Sequence, residues 1–387
     1  MATRERAALA SVVFAVLFAQ VLVYPGATDL VEAYGAAAPE TASRWFLAAE
    51  FGAFVAFAGV WGAASDRAGR RTPFIAAGAA AGSLGYAVLA VAPLGLGGAL
   101  ALRVAQGAAT IGAFSLAMTM LMDLSADHGA DMGAAGIAIG LGTALGAPVG
   151  GQLTELAPRA PLVVGSVALA VAAAVTARLP DNAPTTTQSR LSAAVLAVRD
   201  TPAVLVPYAF GFIDRFTAGF FALVGTLYFQ SRFGLDAGAT GLTLALFFAP
   251  FALLQYPFGR LSDRIGRTIP IAAGSALYGV AVAGVGVAPG LRVAQAGMVT
   301  VGVLGALMAP ATMALVTDIA PDTERGVHMA GFNIAGSLGF LAGIVGGGWI
   351  ADRRGFQDAF AIAGGAELVL AAVALPALLA LRDRRRE

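Results

Sequence analysis

The chain has 387 residues, of which 58% are hydrophobic and only 12% charged, and its mean hydropathy is +0.79. Soluble domains usually carry about 25% charged residues, so this composition excludes a water-soluble globular protein. The net charge of +1 gives no support for nucleic-acid binding, and the absence of cysteine excludes disulfides, thiolate metal sites and cysteine nucleophiles.

Apolar segments of membrane-spanning length recur along the whole chain. A helix needs about 20 apolar residues to cross the hydrocarbon core, and lipid offers no partner for open backbone groups, so each segment is predicted to be an α-helix. The twelve predicted spans are 8–27, 43–64, 73–92, 97–121, 132–153, 160–178, 203–229, 238–258, 269–289, 293–317, 328–350 and 358–381. The first is too long for a signal-peptide core and no cleavage site follows it, so we expect it to be retained as a helix.

Arginine sets the predicted orientation, since all 24 basic residues are Arg. With both termini inside, sixteen arginines lie in inner segments, six in outer segments and two within spans. The positive-inside rule therefore places both termini in the cytoplasm. We expect a multi-pass protein of the plasma membrane.

The chain repeats itself. WGAASDRAGRR (61–71) is echoed by FGRLSDRIGRT (258–268), and LRVAQ occurs twice. Such long-period similarity is typical of a duplicated architecture. We therefore predict a six-helix half at 1–178, a cytoplasmic linker at 179–201 with an interfacial helix, and a second six-helix half at 202–387.

The two loops resemble the G-x-x-x-D-R-x-G-R-R motif of the major facilitator superfamily. The matching residues are Gly62, Asp66, Arg67, Gly69, Arg70 and Arg71 in the first loop, and Gly259, Asp263, Arg264, Gly266 and Arg267 in the second. Arg103, Gln106 and Gly107 also look like the R-x-x-Q-G element of that superfamily's fourth helix. The resemblance implies an all-α membrane fold of twelve helices in two pseudo-symmetric halves, working as a transporter without a cofactor.

The fifth span refines the resemblance. Its glycines, with one proline, are similar to the motif G-x8-G-x3-G-P-x-x-G-G of drug–proton antiporters, although Ala147 stands where proline is expected. The residues that carry the likeness are Gly133, Gly142, Gly146, Pro148, Gly150 and Gly151. The alternative is that these small residues serve only close helix packing.

The loops themselves are predicted to form a cytoplasmic gate. Gly62 is expected to let helices approach and Gly69 to permit a tight turn. By resemblance, Asp66 would meet the N-terminus of span 11, and the arginines can pair with a carboxylate such as Asp123. The alternative is that the arginines only enforce topology and bind anionic lipid.

Five charged residues fall at membrane depth: Glu50, Arg103, Asp214, Arg215 and Glu367. Charges there are costly and invite a functional interpretation. Glu50 and Arg103 lie at similar depths and are expected to pair, either statically or in proton handling. Asp214, with Arg215 beside it, is the leading candidate for the proton site. Glu367 is expected to contact packing helices or a partner.

Substrate-binding residues are barely visible in the sequence. The polar and large side chains that could meet in a cavity are Gln20, Tyr24, Gln255, Met308, Thr312, Phe332 and Asn333. Apolar walls with few polar groups suit a lipophilic or amphipathic ligand, and ordinary helix packing is the alternative for each residue.

Three classes of function remain open. The leading hypothesis is a monomeric, proton-driven exporter of small lipophilic molecules; its partners are the substrate, protons and the bilayer, and no nucleic acid. A proton symporter or facilitator importing a nutrient is the second, and a non-transporting receptor or scaffold the third. An enzyme is not expected. An ATP-driven pump is disfavoured because a chain without Lys has no G-x-x-x-x-G-K-[ST] loop.

Overall fold

A computed structural model describes residues 2–123, 128–181, 198–321 and 324–383. The described residues are 88% helical and contain no strand. They fall into two compact units. Unit 1 comprises Met1–Gln188 and Phe229–Ala245, and unit 2 comprises Ser189–Tyr228 and Leu246–Glu387. The predicted division at 178 and 202 stays a prediction, because compactness groups residues 229–245 with unit 1.

Seven helices precede the linker. They are α1 (Ala2–Val21), α2 (Ala27–Glu32), α3 (Pro39–Ala68), α4 (Thr72–Val91), α5 (Leu96–Asp123), α6 (His128–Leu156) and α7 (Ala160–Thr176). The first helix ends six residues before the predicted end of its span, because Pro25 has no backbone N–H to continue it. The short α2 that follows was not predicted.

The chain after the linker forms eight helical segments. They are α8 (Leu205–Phe220), α9 (Thr226–Phe233), α10 (Ala237–Ile265), α11 (Thr268–Gly286), α12 (Leu291–Ile319), α13 (Arg325–Ala342), α14 (Gly348–Arg354) and α15 (Phe356–Asp383). A π turn at Phe221–Gly225 joins α8 to α9, and another at Gly343–Gly347 joins α13 to α14. Each pair therefore corresponds to one predicted span.

Ten helical segments of the described chain are long and apolar enough to cross a membrane. Each of the twelve predicted spans overlaps a helix, but α1 and the 17-residue α7 do not belong to those ten. Large apolar side chains lie exposed, such as Leu156 at 80% and Val91 at 78%. Such faces suit a hydrocarbon environment, so the chain is an integral membrane protein, and the count of twelve crossings stays a prediction.

Small residues bring the helices together inside each unit. In unit 1, Ser83 of α4 and Ser166 of α7 each donate from Oγ to the other's carbonyl oxygen, at 2.8 and 2.9 Å. In unit 2, α11 crosses α15 where a Cβ on Gly279 would lie 2.5 Å from the carbonyl oxygen of Gly364. Backbones that approach this closely leave no room for lipid between them.

Candidate gate loops and buried charges

The second loop is held by one arginine. Arg267 contacts Asp263 Oδ1 through Nη1 at 2.5 Å and Asp318 Oδ2 through Nε at 3.1 Å, and its Nη1 also donates to Ser262 Oγ. Burial alone lowers the pKa of Arg267, but hydrogen bonds to the two carboxylates raise it above its ordinary value. The guanidinium is therefore always charged. Asp318 lies at the end of α12, so in this copy a loop arginine pairs with a carboxylate at the end of the neighbouring helix; the pairing expected with Asp123 in the first copy is a separate prediction.

The first loop uses a carboxylate that sequence reasoning missed. Asp181 Oδ1 accepts from the backbone N–H groups of Arg71 and Thr72, at 2.9 and 3.3 Å, and its Oδ2 lies 3.3 Å from Nε of Arg70. Helix α4 has no side-chain cap of its own. Asp181, about 110 residues away in sequence, therefore caps the open N–H groups at its start.

The other expectations for the first loop concern its two glycines and the partners of its charged residues. Gly69 adopts a left-handed conformation with φ +61°, which confirms the tight turn. Gly62 was expected to allow a close helix approach; among the described residues, no atom lies within 4 Å of the place where its Cβ would be, so the described chain shows no such approach and the expectation stays a prediction. The side chain of Asp123 lies outside the described part of the chain. The contact of Asp66 with span 11 would join the two units and stays a prediction.

The remaining loop positions divide by exposure. Arg67, Arg70 and Arg264 are exposed, whereas Arg71 is buried. Gly259 has an ordinary neighbour, since its Cβ would lie 3.6 Å from the side chain of Pro310. For these exposed arginines, the alternative that they only enforce topology and bind anionic lipid remains open.

Glu50 and Arg103 form the ion pair that their depths predicted. Both side chains are fully buried, and Arg103 Nη2 donates to Glu50 Oε2. Gln106 closes the triangle: its Oε1 accepts from Arg103 Nη1 at 2.7 Å, and its Nε2 donates to Glu50 Oε1 at 3.0 Å. Both oxygens of the carboxylate thus have donors, which is the condition for a stable buried pair.

Neighbouring side chains enclose this triangle. The Arg103 guanidinium lies 4.6 Å from the ring centre of Phe46 and 5.6 Å from that of Tyr86, within the range of cation–π attraction. A Cβ on Gly107 would lie 2.5 Å from the carbonyl oxygen of Glu50. The R-x-x-Q-G element therefore has a physical role at each position: Arg103 pairs, Gln106 bridges, and Gly107 lets α5 approach α3.

Glycines of α6 form a groove for α1. A Cβ on Gly142 would lie 3.0 Å from the carbonyl oxygen of Phe14, and one on Gly146 would lie 2.8 Å from Cβ of Val21. One on Gly150 would collide with the carbonyl oxygen of Leu22. These three glycines lie four residues apart and so share one face of α6. We call this face the glycine stripe.

Two further features complete the fifth span. Gly151 faces another direction, toward the carbonyl oxygen of Ala237 within unit 1. Pro148 lies inside α6 and removes one helix hydrogen bond there. Gly133 lies in the part of α6 whose side chains the structure does not describe. The glycines of the motif therefore do serve close helix packing, which was the alternative interpretation. This packing neither supports nor contradicts an additional role in the direction of transport.

Asp214 and Arg215 point in different directions from α8, as their adjacency predicted. Cγ of Arg215 would lie 3.1 Å from a Cβ on Gly336 of α13. Asp214 is attracted electrostatically by Arg215 and interacts more remotely with Tyr278 of α11 and Glu367 of α15. Both residues are half-buried. Glu367 is fully buried and accepts a hydrogen bond from Ser275 Oγ, so its expected contact with packing helices is confirmed.

A family model decides the relationship. The model of the Major Facilitator Superfamily matches residues 9–229 and 208–387. The chain belongs to the Major Facilitator Superfamily. Its relatives and structural neighbours are transporters, not enzymes.

Curated relatives match this superfamily member over part of its length. An MFS-type transporter from Methanocaldococcus jannaschii is 32% identical over 168 residues, which cover 42% of each chain. The quinolone resistance protein NorA of Staphylococcus aureus is 30% identical over 121 residues, covering 30% of this chain and 31% of NorA. The chain thus matches less than half the length of these relatives.

Solved structures show the same superfamily fold. A bacterial homologue of the human lysosomal transporter Spinster gives a TM-score of 0.77 at 14% identity, covering 98% of this chain and 97% of that one. The human organic anion transporter MFSD10 gives 0.70 at 19% identity, covering 96% and 99%. A D-xylose–proton symporter gives 0.73 at 15%, covering 94% and 95%. At these identities the likeness concerns the fold alone.

The substrate candidates separate into packed and available side chains. Met308 packs against Gly274, and Phe332 packs against Gly211 and Tyr208, so helix packing accounts for both. Thr312 is buried and donates to the carbonyl of Met308. Gln255 is half-buried and Asn333 exposed. These last two remain candidates.

Gln20 is the most informative of the candidates on α1. It is 1% exposed, and neither of its amide atoms has a hydrogen-bond partner within the described chain. Tyr24 lies three residues beyond the end of α1, is 2% exposed, and interacts electrostatically with Glu50 and Arg103. A buried amide without partners is costly, so Gln20 stays the leading substrate candidate of unit 1.

Removing the Asp181 carboxylate should destabilise the first loop. Asp181→Ala removes a helix cap, and we expect it to lower the free energy of unfolding by about 1 kcal/mol. Asp181→Asn should lose less, because an amide oxygen still accepts. Thermal unfolding in detergent measures the effect, with Asp200→Ala, an exposed acid of the same region, as the control. Equal melting of Asp181→Ala and wild type would contradict the capping role.

The Glu50–Arg103 pair should show strong coupling between its members. Arg103→Gln leaves an uncompensated buried carboxylate, and breaking a buried pair costs about 3–5 kcal/mol. The double variant Glu50→Gln/Arg103→Gln removes both charges and should be better expressed and more stable than Arg103→Gln. Yield and unfolding midpoint report this. Simply additive effects would show that the pair is energetically uncoupled.

The glycine stripe allows a matched comparison within one helix. Gly150→Ala places a methyl group against the α1 backbone, and overpacking of this kind costs about 1–3 kcal/mol. Gly136→Ala, also in α6, places a methyl group that no atom of the described residues approaches within 4 Å, so it should be neutral or slightly stabilising. Melting of the two variants in detergent tests the groove, which loses its support if both behave alike.

Proposed function

We propose that this chain is a secondary active transporter that works by alternating access and exports small lipophilic or amphipathic molecules in exchange for protons. The transporter would be a monomer in the plasma membrane, with twelve membrane-spanning helices and both termini on the cytoplasmic side. Membership of the Major Facilitator Superfamily supports membrane transport. The proposals of export and of proton coupling are supported by the glycine stripe and by the charges at membrane depth, respectively.

The glycine stripe is the observation that carries export. Gly142, Gly146 and Gly150 match the spacing of the antiporter motif, and all three bring α6 against α1. The partial likeness to the quinolone resistance protein NorA points the same way. Ala147 before Pro148 is a departure from the motif, but it leaves the three stripe glycines in place.

The proton-coupling candidates are the charges at membrane depth. Asp214 is half-buried, and it interacts electrostatically with the adjacent base Arg215 and with another acid, Glu367. Glu50 is instead locked by Arg103 and Gln106. A carboxyl group that lacks a firm counter-ion can gain and lose a proton more readily than one inside a closed ion pair. Asp214, with Arg215 as its neighbour, is therefore our first proton site, and the Glu50–Arg103 pair the second.

The gate assignment rests on the two loops. Their arginines are fixed by carboxylates, Arg70 by Asp181 and Arg267 by Asp263 and Asp318. Charge-assisted contacts of this kind can be exchanged between two states of a transporter at modest cost. Gly69 and Gly266, both with positive φ, hold the backbone turns that present these arginines.

Import by proton symport is the second candidate. The displaced proline of the antiporter motif favours it, and the fold is shared with a D-xylose–proton symporter. The direction of substrate movement distinguishes the two. A substrate screen in inside-out vesicles, with the pH gradient imposed or collapsed, should show gradient-driven uptake for an exporter. A receptor or scaffold would show no transport in either condition.

Asp214→Asn should separate coupling from substrate movement. An amide cannot carry a proton, so the variant should lose accumulation of substrate against its gradient. Exchange of substrate down its own gradient should persist, because it requires no net proton movement. Proteoliposomes with the gradient imposed and collapsed measure both activities. Asp358→Asn, an exposed acid at the start of α15, is the control, and accumulation by Asp214→Asn would move the proton site elsewhere.

A further inference from the structure

The last three turns of α10 present a row of exposed side chains that changes from apolar to basic. Leu253 is 73% exposed and Tyr256 is 72% exposed, and the side chains of Arg260 and Arg264 are exposed beyond them. These four residues follow one another at intervals of three or four positions, so they share one face of the helix. We call them the α10 face.

The two arginines of the α10 face have no acid to neutralise them within the described part of the chain. Asp263, which lies between them in sequence, contacts Nη1 of Arg267 at 2.5 Å instead. The guanidinium carbon of Arg260 lies 5.7 Å from the ring centre of Tyr256. An aromatic ring orients a guanidinium group but leaves its charge and its N–H donors available. The face therefore offers two positive charges, one helical turn apart, to an anion.

The α10 face runs from the hydrocarbon level of the membrane to the headgroup level. Helix α10 has 29 residues, which at 1.5 Å per residue make a helix of about 44 Å, longer than the roughly 30 Å hydrocarbon core. Tyr256 lies near the end of the predicted span 238–258, and tyrosine favours the membrane–water interface. Arg260 and Arg264 lie one and two turns beyond it, at the level of lipid phosphates.

The repeated gate motif does not account for this face. Segment 258–268 echoes segment 61–71, so Arg260 corresponds to Ala63 and Tyr256 corresponds to Gly59. Tyr256 precedes the motif, and Arg260 occupies a position that the motif leaves open. Setting the topology requires positive charge, but it does not require an arginine held over an exposed aromatic ring in one copy alone.

We propose that the α10 face binds an anionic phospholipid of the surrounding bilayer. The lipid phosphate accepts hydrogen bonds from the guanidinium groups of Arg260 and Arg264, Tyr256 lies beside the glycerol backbone, and an acyl chain follows Leu253. Planar guanidinium groups match the geometry of phosphate oxygens, and anionic headgroups are attracted to arginines at this level. The inference is independent of the proposed direction of transport and of proton coupling.

A bilayer lipid and a free phosphate would use the same two arginines. They differ at the other end of the face, because inorganic phosphate has no apolar part to contact Leu253 or the ring of Tyr256. The continuity of exposed apolar, aromatic and basic side chains along one helix face favours the lipid.

Photocrosslinking in proteoliposomes tests the site in the full chain. The probes are phosphatidylglycerol and phosphatidylcholine that carry the same photoreactive acyl chain, and mass spectrometry measures their labelling of α10. Each arginine near an anionic headgroup contributes about fivefold in affinity. The wild type should therefore label α10 with phosphatidylglycerol about 25-fold more than with phosphatidylcholine. Arg260→Gln and Arg264→Gln should each reduce this ratio about fivefold, and the double variant should abolish it.

Three further variants separate the site from membrane topology and from general charge. Arg260→Lys/Arg264→Lys keeps both charges, and so the topology, but loses the planar donors and should retain only part of the preference. Tyr256→Leu keeps an apolar side chain without the ring and should reduce the ratio about threefold. Arg292→Gln removes an exposed arginine at the start of α12 and should leave the labelling of α10 unchanged.

The outcomes that overturn the inference are equally specific. Equal labelling of α10 by the two lipids in the wild type would show that the face has no anionic lipid site. An unchanged ratio in Arg260→Gln/Arg264→Gln, with wild-type melting, would assign the preference to other residues. Loss of the preference on adding inorganic phosphate, but not sodium chloride of the same ionic strength, would show that the arginines bind free phosphate instead.

Discussion

Close approach of helix backbones at glycine is the contact on which the rest of this structure depends. Lipid tails are as apolar as the side chains of the helices, so burial of apolar surface gives little drive for helices to associate within a membrane. Backbones that meet at glycine gain dispersion contacts over a large area instead. Gly107 against Glu50, Gly150 against Leu22 and Gly279 against Gly364 are such meetings, and they set which helices are neighbours in each unit.

The same crossings determine where charge can be buried. Glu50 lies beside Gly107, Arg215 beside Gly336, and Glu367 beside Gly279. A charged side chain on a lipid-facing surface would be exposed to hydrocarbon, whereas one at a glycine crossing is enclosed by polar backbone and by the neighbouring helix. Three of the five intramembrane charges thus lie where helix backbones approach each other closely. Their environments differ: Glu50 has two donors and a counter-ion, and Glu367 has one neutral donor.

Sequence patterns predicted the features that depend on local composition. Apolar length located a helix for each span, helical depth predicted the pairing of Glu50 with Arg103, and the motif glycine predicted the left-handed turn at Gly69. Each of these depends on residues whose spacing can be read directly along the chain.

Features that depend on which helices become neighbours could not be predicted in this way. Asp181 caps a helix that begins about 110 residues earlier, and nothing in the linker sequence indicates that target. Ser275 looks like an ordinary residue of an apolar span in the sequence, yet it donates a hydrogen bond to Glu367 of α15. Gly62 was assigned a packing role from its motif alone, yet no atom of the described residues lies within 4 Å of the place where its Cβ would be. Met308 and Phe332 were considered as cavity residues because their side chains are large, and in the structure both pack against neighbouring helices.

The π turn at Phe221–Gly225 has a mechanical meaning that follows from its position. The chain leaves unit 2 and enters unit 1 after Tyr228, only three residues beyond the end of that turn. A helix shared by two bodies acts as a stiff rod between them unless it has a place to bend, and π turns are among the recognised sites of helix kinks. Here the weakened backbone ladder lies just before the change of unit. The seventh span therefore has a recognised bending point, three residues before the chain passes from unit 2 to unit 1, in place of one uniform α-helical ladder.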